Sequence, residues 1–199
     1  MLPDAVAQCV EWYGSASGQP VPDPSQYCPT RDVLEARLPR LLSYAESAGL
    51  SDGDSALLTA VAGEIGNNSF DHNLGHWHDQ PGCCFAFAVD APALLVWIAD
   101  RGRGALASLR SAVPDLADHQ QALEMAFEQV VSGRHPERRG NGLKFVRSVI
   151  NGHADRGLVS ITGRGALSLG SLGPALRART RWPTEQDHGM LTVVAWICT

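Results

Sequence analysis

The chain has 199 residues, which is enough for one ordinary domain and short for two. Its apolar share of 44% and charged share of 19% are near globular averages, which argues against a disordered or fibrous protein. The formal net charge of -5 argues against a general nucleic-acid-binding protein, because phosphate contacts need a basic surface.

No apolar run approaches the ~20 residues that cross a bilayer, and the first residues lack the basic segment of a signal peptide. We therefore expect a cytoplasmic protein without membrane contact. The five cysteines are an odd number without regular spacing, so we expect reduced thiols and no disulfide.

The N-terminal part divides into a helix, a Pro-rich arm and a second helix. Residues 4 to 13 can form a short helix, and residues 14 to 29 hold four prolines, which is typical of an extended connector or wrapping arm. A helix is then predicted from Thr30 to Gly49, with a kink at Pro39. We take residues 1 to 29 as an N-terminal helix and arm, and residues 30 to 199 as the domain.

The next helix, from about Ser55 to Asn73, carries an unusual row of polar residues. At ~100° per residue, Glu64, Asn68 and His72 lie one above the other on a single face. This face presents a carboxylate, a carboxamide and an imidazole, so we expect a polar group to bind against it.

The remaining chain alternates strands, helices and Gly-rich loops. Strands are predicted at residues 83 to 90, 94 to 99, 157 to 162, 166 to 169, 176 to 181 and 190 to 198, and helices at 120 to 131 and 143 to 151. Residues 105 to 119 fit neither pattern. Because strands come in adjacent runs, we predict an α+β fold: a two-layer sandwich with helices on one face of a mixed, mostly antiparallel sheet.

Three motifs in this order resemble the GHKL superfamily of ATP-binding domains, which includes gyrase, heat-shock chaperone, histidine kinase and mismatch-repair ATPases. Glu64-x-x-x-Asn68 with His72 is similar to the N box, Asp100-x-Gly102-x-Gly104 to the first glycine box, and Gly140-x-Gly142-Leu143 to the second. The resemblance covers roughly residues 30 to 198 and implies the Bergerat-type ATP-binding fold.

The resemblance implies a role for each box, and the chemistry of the residues is compatible with it. Asp100 would accept a hydrogen bond from the exocyclic amine of adenine, and Gly102 and Gly104 would let the backbone approach the base. Asn68 would be the ligand of Mg²⁺. Glu64 would activate water for hydrolysis, or would support a protein hydroxyl as in the kinases of the superfamily.

The second glycine box would bind the phosphates. The N–H groups of the helix that follows Gly140 and Gly142 would point at them, and Arg139, Leu143 and Lys144 flank this turn. We expect the residues before it to form a lid whose guanidinium groups clamp a triphosphate: Arg134, Arg138 and Arg139, with His135.

Two other interpretations compete with this one. Gly102-x-Gly104-x-x-Ala107 after a strand imitates a dinucleotide-binding fingerprint. A group of zinc-compatible residues, although with the spacing of no standard zinc finger, also crowds one stretch: His72, His76, His78, Cys83 and Cys84.

The chain also departs from the family. No histidine precedes His72, so this chain is not a complete sensor kinase, and Gly189-Met190 stands where the family often has Gly-Thr. The layout is closest to the stand-alone anti-sigma serine kinases, although the segment from Leu169 to His188 is longer than in them.

We expect a Mg-ATP-binding regulatory domain that controls a partner protein and can form a homodimer. Hydrolysis, phosphoryl transfer to the partner, and binding without turnover by an anti-sigma or antitoxin-like module all stay open.

Overall fold

The computed structural model describes residues 4–128, 141–179, 182–183 and 186–198. The helices in these ranges are α1 (Asp4–Gly14), α2 (Arg31–Ser47), α3 (Asp52–Asn73), α4 (Gly104–Leu109), α5 (His119–Glu128), α6 (Gly142–Asn151) and α7 (Gly173–Arg179). The strands are β1 (Tyr27–Cys28), β2 (Cys83–Asp90), β3 (Ala93–Asp100), β4 (Arg156–Thr162), β5 (Gly165–Leu169) and β6 (Met190–Ile197).

The strands form one sheet in the order β1-β2-β3-β6-β4-β5. Each described strand pair is antiparallel, and Ala91-Pro92 makes the turn between β2 and β3. The register places Asp100, at the end of β3, opposite Met190, at the start of β6. The end of the central hairpin therefore lies beside the start of β6.

The alternation of β3 shows how the sheet is covered. Leu94, Val96 and Ile98 belong to the main core, to which α2, α3, α5 and α6 contribute. The α+β class and the helix-on-sheet sandwich are therefore confirmed. Beyond that prediction, the opposite residues Leu95 and Trp97 pack with side chains of α1 and α7 on the other face.

Two predictions were wrong. The segment predicted as a strand at residues 176 to 181 contains the end of α7, because Pro174 in the first turn favours the start of a helix. The cysteines are not all free, since Cys9 of α1 and Cys84 of β2 form a disulfide with a Cα–Cα distance of 5.7 Å. The packing of α1 on the sheet brings these distant cysteines together, and linear spacing does not report that packing.

α2 runs through Pro39 as one helix. The ambiguous stretch after Asp100 begins with the short helix α4. In the described part of the chain, no helix combines the length and apolarity that crossing a membrane requires.

Candidate functional site

Helix α3 carries the polar row. The helix begins after Ser51, whose Oγ accepts a hydrogen bond of 3.1 Å from the backbone N–H of Asp54. The apolar residues of α3 lie in the main core. Glu64 is exposed and Asn68 and His72 are half-buried, so the row lies along the border between the core and the surface.

Asp100 lies beside the C-terminal end of α3 and is only 4% exposed. Its Oδ1 accepts hydrogen bonds from Nδ2 of Asn73 at 3.0 Å and from the N–H of Gly102 at 2.9 Å, and its Oδ2 accepts one from Oγ of Ser69 at 3.1 Å. Burial raises the pKa of Asp100 to about 6, although these hydrogen bonds oppose the rise. The carboxyl group is thus a buried acceptor with both oxygens engaged.

Gly102 and Gly104 need to be glycine for different reasons. A Cβ on Gly102 would stand 1.9 Å from Cγ of Asn73, so the amide of Asn73 fills the space of a side chain. Gly104 has a φ of 71°, which favours glycine. Oγ1 of Thr162 accepts from the N–H of Ala105 at 3.2 Å and thereby holds this turn.

Glu64 meets the start of α6. A Cβ on Gly142 would stand 2.2 Å from Oε2 of Glu64, so the glycine leaves room for the carboxylate to lie beside the backbone there. A negative group at a helix N-terminus is electrostatically favourable. The first and third predicted motifs are therefore in contact.

The other predicted residues of α6 point to different surroundings. Leu143 packs against the main core. Lys144 lines an open cleft between α5 and α6 with Phe127, Arg147 and Asn151. None of the other residues that we predicted for the site lines this cleft. Arg139 and Gly140, with the lid residues Arg134, His135 and Arg138, lie outside the described residues.

Asn68, the predicted Mg²⁺ ligand, has unused hydrogen-bonding capacity. Its Nδ2 is buried without a partner in the described structure, and so is Oδ1 of the neighbouring Asn67. Buried amide groups are normally hydrogen-bonded. This part of α3 therefore fits a polar ligand.

Sequence reasoning missed Ser69, Asn73 and Thr162. Ser69 and Asn73 are four residues apart, one position after Asn68 and His72, so they form a second polar row on α3. That spacing was a usable signal. Thr162 gave none, since it joins the site only through the order of the strands.

Neither competing interpretation is supported. A dinucleotide fingerprint needs parallel strands around its helix, whereas β3 pairs antiparallel with both β2 and β6. Among the described residues, no three His, Cys, Asp or Glu side chains are grouped as metal ligands, and Cys84 is in the disulfide.

Comparisons with protein-family models and with curated proteins give no match to this chain. The resemblance to the GHKL superfamily therefore stands on the three motifs and their order.

Proposed function

We propose that this protein is a Mg-ATP-binding regulatory domain that controls a partner protein through its nucleotide. The observation that supports this most is the environment of Asp100: a buried carboxyl at a strand end, beside the polar face of α3. A second observation is that Glu64, on the same face of α3, lies beside Gly142 at the start of the ten-residue helix α6.

The residues fit the parts of Mg-ATP as follows. Asp100 would accept a hydrogen bond from the amine of adenine, since an ionised carboxylate only accepts. The first N–H groups of α6 would bind phosphate oxygens. Asn68 offers the neutral amide oxygen that Mg²⁺ binds beside water and phosphate oxygens. Its unpartnered atom is Nδ2, a donor that would bind a phosphate oxygen and not the metal.

The surroundings of Asp100 must rearrange before an adenine base can bind there. Both oxygens of Asp100 already accept hydrogen bonds, and Gly102, expected to admit the base, adjoins the amide of Asn73. A base entering this place must compete with these contacts.

Bound Mg-ATP would supply a transferable γ-phosphoryl group. Glu64 is the carboxylate of the site nearest the start of α6, so its replacement separates the possible activities. If the domain is an ATPase or a serine kinase, Glu64→Ala should abolish turnover and keep nucleotide binding. If the parent protein shows no turnover even with excess partner, the enzyme is excluded and the alternative below gains support.

The alternative is an anti-sigma or antitoxin-like module that binds ATP without turnover. The observation that favours it is the close approach of the Glu64 carboxylate to Gly142, which places backbone of the chain beside the carboxylate. In that case, the partner would recognise the nucleotide-bound surface.

Calorimetry with ATP and GTP tests the binding proposal. We expect the parent protein to prefer ATP and Asp100→Asn to lose at least tenfold in ATP affinity, about the value of one hydrogen bond to a charged group. The control is Asp115→Asn, which makes the same change at an exposed residue. Equal binding of both nucleotides by the parent would contradict the role of Asp100.

The cytoplasm is the location that we propose. The Cys9–Cys84 disulfide weighs against it, because such bonds persist mainly in oxidising compartments. Thiol alkylation of the protein in its native cells, followed by mass spectrometry, would show whether Cys9 and Cys84 are oxidised there.

A further inference from the structure

Asn73 makes a pattern of hydrogen bonds that resembles base recognition. Its Nδ2 donates to Oδ1 of Asp100 at 3.0 Å, and its Oδ1 accepts from the backbone N–H of Arg103 at 3.1 Å. The side chain is only 3% exposed. One carboxamide therefore bridges the carboxylate and the backbone of the same turn.

The Watson–Crick edge of adenine has the same chemistry. It presents an amine donor next to a ring-nitrogen acceptor, and a carboxamide presents an N–H donor next to an oxygen acceptor. Guanine presents the reverse order at the corresponding atoms. A turn that pairs with the Asn73 carboxamide is therefore also complementary to adenine.

The glycine of this turn fits the same interpretation. The position where a Cβ of Gly102 would stand is 1.9 to 2.1 Å from the three amide atoms of Asn73. The absence of a side chain at residue 102 thus makes room for a flat polar group, and that group is Asn73.

Asn73 lies at the end of a helix, where its side chain can swing away from Asp100 and Arg103. It is the last residue of α3, and it is followed by Leu74, which is 74% exposed, and by Gly75 with a φ of 76°. Helix ends open more easily than helix interiors. The hydrogen bond from Nδ2 of Asn73 to the carbonyl of Ser69, at 2.9 Å, is the additional contact that opening must break.

We propose that Asn73 is the gate and specificity residue of the base site: its carboxamide takes the place of the adenine edge on Asp100 and Arg103, and an adenine base must displace it. This inference depends on the proposed function, because the displaced contact is the one assigned to adenine. The gate lowers the affinity for ATP, and it also excludes groups that cannot replace both of its hydrogen bonds.

The test compares ATP binding by the parent, Asn73→Ala and Asn73→Ser in calorimetry with Mg-ATP, and with Mg-GTP as the second ligand. Removing the gate spares ATP the cost of breaking three hydrogen bonds of the Asn73 side chain, so we expect Asn73→Ala to bind ATP roughly tenfold more tightly or better. Asn73→Ser keeps a short hydroxyl that can make one of these hydrogen bonds but cannot bridge both partners, so its ATP affinity should rise less than that of Asn73→Ala. Asn151→Ala removes an amide from the end of α6 as the matched control.

A second readout needs no nucleotide. The hydrogen bond from Asn73 is among those that hold down the pKa of Asp100, so Asn73→Ala should move the NMR titration midpoint of the Asp100 carboxyl upward from about 6. Thermal denaturation of each variant establishes that it is folded, and Asn73→Ser replaces Asn73→Ala if the latter unfolds.

The outcomes separate the two proposals. If the parent binds ATP and the folded Asn73 variants bind it no more tightly, the gate is overturned and the proposed function stands. An unchanged Asp100 midpoint also overturns the gate. If neither the parent nor the Asn73 variants bind ATP, the proposed function fails and the gate fails with it.

Discussion

At the scale of single residues, two buried titratable groups flank Gly189. Asp100 is hydrogen-bonded beneath α3, and His188 is 7% exposed and stacks on His78 with ring centroids 4.2 Å apart. Burial raises the pKa of Asp100 to about 6 and lowers the pKa of His188 to about 4, because it disfavours the charged form of each. The two groups therefore act oppositely on stability.

The pH dependence of unfolding should reveal this opposition. Between about pH 4 and pH 6, the folded protein keeps a proton on Asp100 that the unfolded chain has lost, so this contribution to stability falls as pH rises. Between about pH 4 and pH 6.5, the unfolded chain holds a proton on His188 that the folded protein lacks, so that contribution rises with pH.

Replacing one of the two groups should leave the pH dependence of the other. We compare the free energy of unfolding of each variant with that of the parent at the same pH. From pH 4 to pH 6, this difference should rise by about 3 kcal/mol for Asp100→Asn and fall by a similar amount for His188→Gln. Urea denaturation at several pH values measures both. Variant profiles parallel to that of the parent would disprove the assigned shifts.

The sequence predicted the residues that stand in recognisable motifs and missed those that depend on packing. Glu64, Asn68 and Asp100 were selected by their spacing and by the strand that ends at Asp100, and their role in a site stays a prediction. Asn73 was missed although its spacing from Ser69 was a usable signal, and His188 was missed because its contact with His78 joins residues distant in the chain. Sequence periodicity predicts which residues share a face of a helix, but not which other residues pack against that face.

At the scale of elements, Arg101 connects the candidate site to the N-terminal segment. Its buried guanidinium donates to the carbonyls of Trp12 at 2.7 Å, Tyr13 at 3.0 Å and Ser15 at 2.8 Å, and its Nη2 lies 2.6 Å from Oδ2 of Asp79. Asp100 therefore contacts α3 on one face of the sheet, and its neighbour Arg101 contacts the end of α1 on the other face.

Replacing Arg101 should release the end of α1. Arg101→Met keeps much of the side-chain length but removes the guanidinium that donates to three carbonyls and to Asp79, so we expect a loss of roughly 3 kcal/mol in unfolding free energy. Limited proteolysis should then cut the segment after α1. Arg164→Met, at an exposed turn between β4 and β5, is the control. Unchanged stability and cleavage in Arg101→Met would refute this role.

The disulfide is the second attachment of α1. It closes a loop with a sequence separation of 75 residues, for which the chain-entropy estimate is roughly 4 kcal/mol. We expect Cys9→Ser combined with Cys84→Ser to lower the unfolding free energy by up to this amount, measured by urea denaturation. Cys198→Ser, which changes a cysteine outside the disulfide, is the control. A double variant as stable as the parent would contradict this contribution.

At the scale of the whole molecule, most elements could be predicted, but their arrangement could not. The apolar runs of β2, β3 and β6 and the capped start of α3 are local signals. The sheet order and the packing of α1 on the second face arise from contacts across the chain. The short α7 was mistaken for a strand because a brief apolar run fits either state.

We propose that an adenine nucleotide binds between α3, the turn after β3 and the start of α6. NMR of ¹⁵N-labelled protein, titrated with Mg-ATP, tests it most directly. We expect the amide signals of Gly102, Arg103 and Gly142 to shift with Mg-ATP, and those of Gly102 and Arg103 to shift far less with Mg-GTP. Shifts confined to the cleft of Phe127, Arg147 and Asn151, or no shifts at millimolar nucleotide, would contradict it.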